Sequence, residues 1–195
     1  MFILLYGIGF NSRREHRANF NGKTTPAYRA WRGMLARCYC PKLQGKYPTY
    51  IGCTVDEEWH DFQDFADWFE SHKYSGLGYE LDKDILQVGN KLYSPNRCCL
   101  IPHEINCLLS DSGAARGEYP QGVCFFKKTG KFMSQLRING KTKYLGSFDC
   151  PDEAHQVYKK AKEAYVKEKA FEWEDRIEGR VFQALINWEL KQESQ

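Results

Sequence analysis

Residues 81–106, LDKDILQVGNKLYSPNRCCLIPHEIN, hold the side chains best suited to chemistry. The stretch reads as a strand, a turn, a second strand and a helix, with carboxylates near one end and an amide at the other. Asp82 and Asp84 alternate along the first strand and so should share a face. His103 and Asn106 lie three residues apart on one face of the helix. Lys83 stands between the two carboxylates. A protonated ammonium has no lone pair with which to accept a proton, so Lys83 would be a poor general base and is read instead as a contact to a phosphate. Acidic and amide groups grouped at the ends of such a unit are hard oxygen donors that suit a divalent cation.

The elements around this stretch must hold it in place. From Thr25 to Cys40, Tyr28, Trp31, Met34, Leu35 and Cys38 recur at three- and four-residue steps, which predicts an amphipathic helix with Pro26 at its start. Arg29, Arg32 and Arg37 fall off that stripe, toward water or DNA, and are candidate DNA contacts. After a loop with two prolines and two glycines, CTV reads as a short strand. Asp56 is placed to cap a helix, EEWHDFQDFADWFESH, whose Trp59, Phe62, Phe65, Ala66 and Phe69 make an aromatic core face. His60 and His72 carry no motif and are read as surface residues.

Residues 111–121, small, polar and glycine-containing, read as a linker. Beyond it, GVCFF, KFMSQLRI and KTKYLGSF are three β-type runs separated by KKTG and NG, so a three-stranded antiparallel sheet is expected. Gln135 and Arg137 alternate on its middle strand. The following helix, opened by Pro151 and acids, should cover one face of the sheet. The expected organisation is therefore 1–110, a linker over 111–121, a sheet-plus-helix domain over 122–169, and a closing helix over 170–195.

Charge is segregated along the chain behind a net value of +3. Residues 11–46 carry nine Lys or Arg against Glu15 alone, residues 54–84 carry ten Asp or Glu against two Lys, and residues 122–148 carry six basic residues and no acid. Basic blocks flanking an acidic middle suit phosphate contacts on one side and a divalent cation on the other. The opening MFILLYGIGF lacks a basic region and a cleavage site and is too short to span a bilayer, so no membrane association and a cytoplasmic location are expected. Eight cysteines lack C-x-x-C spacing and read as buried reduced thiols; a structural zinc on Cys38, Cys40, Cys53 and a fourth ligand is the alternative, and it is not expected.

The run WRGMLARCY, GCTV, EW, FADWF, LDKDIL, GNK, YSP over roughly the first 110 residues resembles a phage protein group of the HNH (His-Asn-His, ββα-metal) endonucleases. Asp82, Gly89, Asn90, Pro95, Pro102 and Asn106 fall at motif positions, whereas Lys83 occupies the slot of the family's general-base His. The resemblance implies Asp82 and Asn106 as ligands of one Mg²⁺ or Mn²⁺, ions that suit such oxygen donors. It also implies Gly89 and Asn90 at the hairpin turn, Pro95 and Cys98 on the return strand, and Pro102 as the first helical residue. Asp84 and His103 are further candidates for the catalytic group.

Residues 122–161, with LGSFDCPDEA as their most recognisable piece, resemble the DNA-binding domain of plant ethylene-response factors (APETALA-type), which recurs in phage integrases and homing endonucleases. That resemblance implies that the sheet enters the DNA major groove. Gln135 and Arg137 would read bases, Lys127, Lys128, Lys131, Lys141 and Lys143 would touch phosphates, and Tyr144 sits where the plant family uses an aromatic. Cys124 and Phe126 replace two family arginines, so the plant recognition sequence does not carry over. The fold expected is α+β: a ββα-metal HNH-like domain with flanking helices, then a three-stranded antiparallel sheet covered by a helix. The function expected is a homing or nicking endonuclease acting on double-stranded DNA. Its rival is a catalytically inactive, sequence-specific DNA-binding regulator or inhibitor on the same scaffold. The protein partner is left unspecified, and an RNA-binding or ribosome-associated role would explain the charge but not the ligand spacing.

Overall fold

The computed structural model describes residues 4–110 and 118–190. It is a mixed α and β structure whose residues fall into two compact units. The first takes the chain up to Asn106 together with Asp175–Val181; the second takes Cys107–Glu174 with the residues from Phe182 onward. Most of the stretch expected as a linker, 111–117, lies outside the described residues.

In the first unit a small hairpin, β1 (Asn19–Phe20) and β2 (Lys23–Thr24), precedes α1 (Pro26–Tyr39) and α2 (Pro41–Lys46). The α1 helix starts where its sequence says, with Pro26 in the first turn and the Thr25 side chain accepting from the amide of Tyr28. Its buried face is Ala27, Trp31, Met34, Leu35 and Cys38. The expected second helix is broken in two. Asp56 caps only a 3-10 turn, Glu57–Trp59, and a second carboxylate, Asp61, caps α3 (Phe62–Ser71). Asp61 is drawn there because its Oδ1 also accepts from the amide of Ser12, while the buried Gln63 bonds Asn11 and both backbone groups of His16. These bonds strap residues 11–16 along α3, an arrangement no local pattern announces. Trp31, Trp59, Phe62, Phe65 and Phe69 fill the core between α1 and α3.

The 81–106 stretch folds as a strand pair and a helix, but with different partners from those expected. After β3 (Thr54–Val55) and β4 (Glu80–Asp82), the short β5 (Leu92–Tyr93) pairs in parallel with β3, not with β4. The partner of β4 is β6 (Cys99–Ile101), antiparallel, with Asp82 opposite Cys99 and Glu80 opposite Ile101. Gly89 and Asn90 therefore lie in a long excursion rather than a tight hairpin turn. Pro95 sits in the turn before β6, Cys98 immediately precedes that strand, and Pro102 precedes α4 (His103–Leu109), its carbonyl accepting from the amide of Asn106.

The second unit contains β7 (Val123–Phe126), β8 (Lys131–Ile138) and β9 (Lys141–Phe148), an antiparallel sheet in that order. The β8–β9 turn is Asn139–Gly140 with φ of 49° and 76°, the paired positive values a two-residue type I′ turn demands. The α5 helix (Pro151–Trp173) packs Tyr158 and Tyr165 against Leu136, with Ile138 and Leu145 at the margin. Along α5, Ala164 is exposed while Lys162 and Lys169 are buried. Lysine stems can pack while the ammonium finds an oxygen: Lys162 Nζ donates to the Leu108 carbonyl and Lys169 Nζ to Glu172. Residues 170–190, expected within one closing helix, hold the last turn of α5, a 3-10 turn, and α6 (Gly179–Ile186); 191–195 lie outside the described residues.

Candidate functional site

A cleft of about 500 Å³ in the first unit is lined by Arg29 and Arg37 from α1, by Tyr50 and Tyr93, by Glu80 and Asp82 from β4, and by Asn106 from α4. The alternation of β4 puts Glu80 and Asp82 on one face, and Asp84 beyond the strand end also lines the cleft. Glu80 is the group that Asn106 and His103 meet: Asn106 Nδ2 donates to Glu80 Oε2, and His103 Nδ1 lies 2.8 Å from Glu80 Oε1. Partial burial pushes the Glu80 carboxyl up, but these two hydrogen bonds and the nearby charges of His103 and Arg37 outweigh it and hold Glu80 below the usual glutamate range.

Asp82 is fixed differently. Its Oδ1 accepts from the amides of Asp84 at 2.8 Å and Ile85 at 2.7 Å, an Asx turn that starts the excursion to β5. Burial raises the Asp82 pKa, against those two amides; Asp84 adds to the rise and Lys83 opposes it. Strand β4 ends at Asp82, so Asp84 does not alternate with it along the strand; Asp84 is exposed at the cleft and pairs with Lys83.

Lys83, expected at a phosphate, points into the protein and is only 5% exposed. Its Nζ sits 2.7 Å from both Asp84 Oδ2 and the Asn90 carbonyl, beside the Tyr93 ring. Asn90 completes the clasp: its Nδ2 donates to the Lys83 and Leu92 carbonyls and its Oδ1 accepts from the Leu92 amide. A buried lysine with two good acceptors is a structural tie that shapes the 83–92 loop. Arg37 is the opposite surprise. Expected off the stripe toward water or DNA, it is half-buried at the cleft, its Nε 2.9 Å from the Tyr93 hydroxyl and its guanidinium facing the rings of Tyr50 and Tyr93. Arg29 and Arg32 are exposed, as the stripe implies.

Glu80, Tyr50 and Tyr93 escaped the sequence reading. Glu80 was findable, because it lies two residues before Asp82 on a strand; the two tyrosines carry no pattern. His60 and His72, read as surface residues, are half-buried, with His60 Nε2 near the Val55 carbonyl and the His72 ring tilted against that of Trp68. Of the eight cysteines, Cys38, Cys53, Cys98 and Cys99 are buried, Cys40, Cys124 and Cys150 are half-buried and Cys107 is exposed. Burial pushes the thiols of Cys38 and Cys98 up to about 12.

Among the described residues no three His, Cys, Asp or Glu side chains converge as a metal cage. A hard cation of the Mg²⁺ type needs less, since it binds through one or two carboxylates and keeps several waters. The Glu80 and Asp82 carboxylates on one face of β4, with the Asn106 amide across from them, fit that demand.

In the second unit, Leu136 and Ser134 turn toward α5 while Gln135 and Arg137 take the other face of β8, where the register sets Tyr144 opposite Gln135 and Thr142 opposite Arg137. Tyr144 is 60% exposed. Arg137 is exposed and bonds only locally, Nε to the Gly140 carbonyl; Gln135 Nε2 reaches Cys124 Sγ. Lys127, Lys128, Lys141 and Lys143 are exposed. Lys131 pairs with Asp149, and Lys143 stands opposite Leu136, on the helix side of the edge strand. No known protein family, curated protein or solved structure matched this chain. No helix among the described residues is long and apolar enough to cross a membrane.

Proposed function

We propose that the first unit hydrolyses a DNA phosphodiester with one bound Mg²⁺ or Mn²⁺, on an HNH-like ββα scaffold, and that the open face of the β7–β9 sheet binds double-stranded DNA. The observation that carries the reading is the cleft itself, in which Arg29 and Arg37 face Glu80, Asp82 and Asn106. Few ligands need fixed cations and paired carboxylates in one cleft; a phosphodiester together with a divalent cation does. Asp82, Glu80 and Asn106 would hold the ion, which when bound stabilises charge on the departing oxygen. Arg37, clamped by two tyrosines, would hold the phosphate without further reorganisation. His103, oriented through Nδ1 by Glu80, is the candidate to take the proton of water at Nε2.

The catalytically silent reading keeps one specific support: the side chain at the family's general-base position, Lys83, is buried and tied to Asp84 and Asn90. Plasmid nicking separates the two. Supercoiled DNA is incubated with wild type, Asp82→Ala, Asn106→Ala and Glu80→Gln, in Mg²⁺, Mn²⁺ or chelator. Nicking that needs the cation and disappears in Asp82→Ala and Asn106→Ala is expected; DNA binding with no cleavage under any condition overturns the endonuclease reading in favour of the regulator.

A further inference from the structure

The β1–β2 hairpin stands next to the cleft and has no part in the activity proposed above. Its loop is Asn21–Gly22, with φ of 48° and 73°, a second type I′ turn that holds the two strands in one register. Phe20 and Lys23 are directly opposite, so they project from the same face. Phe20 is 59% exposed, an uncommon position for an aromatic on so short a hairpin. The hairpin is not a loose flap. Thr25 Oγ1 donates to the Arg17 and Ala18 carbonyls, the Thr25 amide bonds the Ala18 carbonyl, and Thr24 Oγ1 donates to Asn19 Oδ1. Arg29, which lines the cleft, donates from Nη2 to the Thr24 carbonyl, fixing the hairpin to the cleft wall.

Exposed cations border the hairpin. Arg17, Lys23, Arg29 and Arg32 are exposed, and among the described residues no carboxylate lies within ion-pair distance of them. Arg14 and His16, by contrast, are spent on Asp64 and Asp67 of α3. An exposed ring on a braced hairpin bordered by uncompensated cations matches a nucleic-acid strand, whose phosphates meet the cations while a base meets the ring. A protein partner would have to be acidic and present a pocket for a single phenyl ring.

We propose that this hairpin is a DNA contact in which Phe20 stacks on a base unstacked beside the cleft. The proposal rests on the reading of the cleft as a phosphodiester site. Its test measures equilibrium binding of the full chain to an alternating (AT) duplex in chelator over a range of salt, with permanganate oxidation reporting unstacked thymines. Phe20→Ala should weaken binding about five- to a hundredfold, leave the salt slope unchanged and abolish the thymine oxidation that wild type induces. Phe20→Trp should restore both. Lys23→Ala should instead lower the salt slope by about one. Phe20→Ala that matches wild type in affinity and oxidation overturns the stacking proposal and leaves the endonuclease reading standing. Wild type that binds no duplex overturns both. Phe20-dependent uptake onto anionic phospholipid vesicles, without an effect on DNA binding, overturns it in favour of a membrane surface.

Discussion

Two strands in this molecule present polar side chains two residues apart, and they treat them in opposite ways. On β4, Glu80 and Asp82 have partners already: Asn106 and His103 on one carboxylate, two backbone amides on the other. On β8, Gln135 and Arg137 lie on a face that α5 leaves open, with only a local carbonyl holding the guanidinium. The first arrangement costs freedom and gives geometry, which bond-breaking requires. The second keeps donors available, which reading a ligand requires.

The largest test of that contrast is in the cores that carry the two strands. Trp31, wedged between α1 and α3 with its Nε1 on the Trp59 carbonyl, should cost about 3–5 kcal/mol as Trp31→Ala. Leu136→Ala, on the helix side of β8, should cost about 2–5 kcal/mol. Urea melts followed by signals from each unit should show each loss in its own unit first; a single shared transition for both variants would break the comparison.

A smaller change sharpens it within the cleft. Asn90→Ala removes the clasp on the Lys83 and Leu92 carbonyls and should cost about 1–3 kcal/mol for each buried group left unpaired. Nicking should fall with it, because the loop carrying Lys83 and Asp84 loses its shape. Wild-type nicking by Asn90→Ala would mean that the loop does not matter to the site.

On the open face, Arg137→Ala should leave folding unchanged while costing about 1–3 kcal/mol of discrimination at one base pair. Lys128→Ala should weaken binding evenly across sequences. Equal effects of both variants in a binding-site selection would show that Arg137 does not read a base. The smallest effect is in pH. Glu80 titrates below its unfolded value, so its contribution to stability is present above that value and lost as pH falls through the lower folded one. Glu80→Gln should flatten the acid limb of the stability profile, and an unchanged acid limb would remove the Glu80 hub.

Much of the scaffold was legible locally. Helix α1 followed from spacing and from Pro26, and the three strands of the second unit followed from two turn signals. Where the reading failed, distant residues decided. Asp61 split the expected aromatic helix because a strap 49 residues earlier in sequence needed its carboxylate. The strand after Asn90 left β4 for β3, a pairing that hydrophobic pattern alone cannot choose. Within the cleft, Asp82 and Asn106 come from the motif, whereas Glu80 beside them carries no motif signal, and Arg37, expected off the apolar stripe toward water or DNA, lines the cleft.

By itself, the sequence determined which residue types were concentrated where: carboxylates before the β4 excursion, an amide and a histidine at the start of α4, and cations in two blocks. Those are properties of composition and short-range periodicity, settled within a few residues. Tertiary structure alone decided which charges are spent and which remain available. Lys83 is consumed by Asp84 and the Asn90 carbonyl, Arg37 is turned into the cleft by two tyrosines 13 and 56 residues away in sequence, and Arg137 is left exposed. The reason is physical: burying an ion is tolerated only where partners converge on it, and those partners come from parts of the chain that only folding brings together.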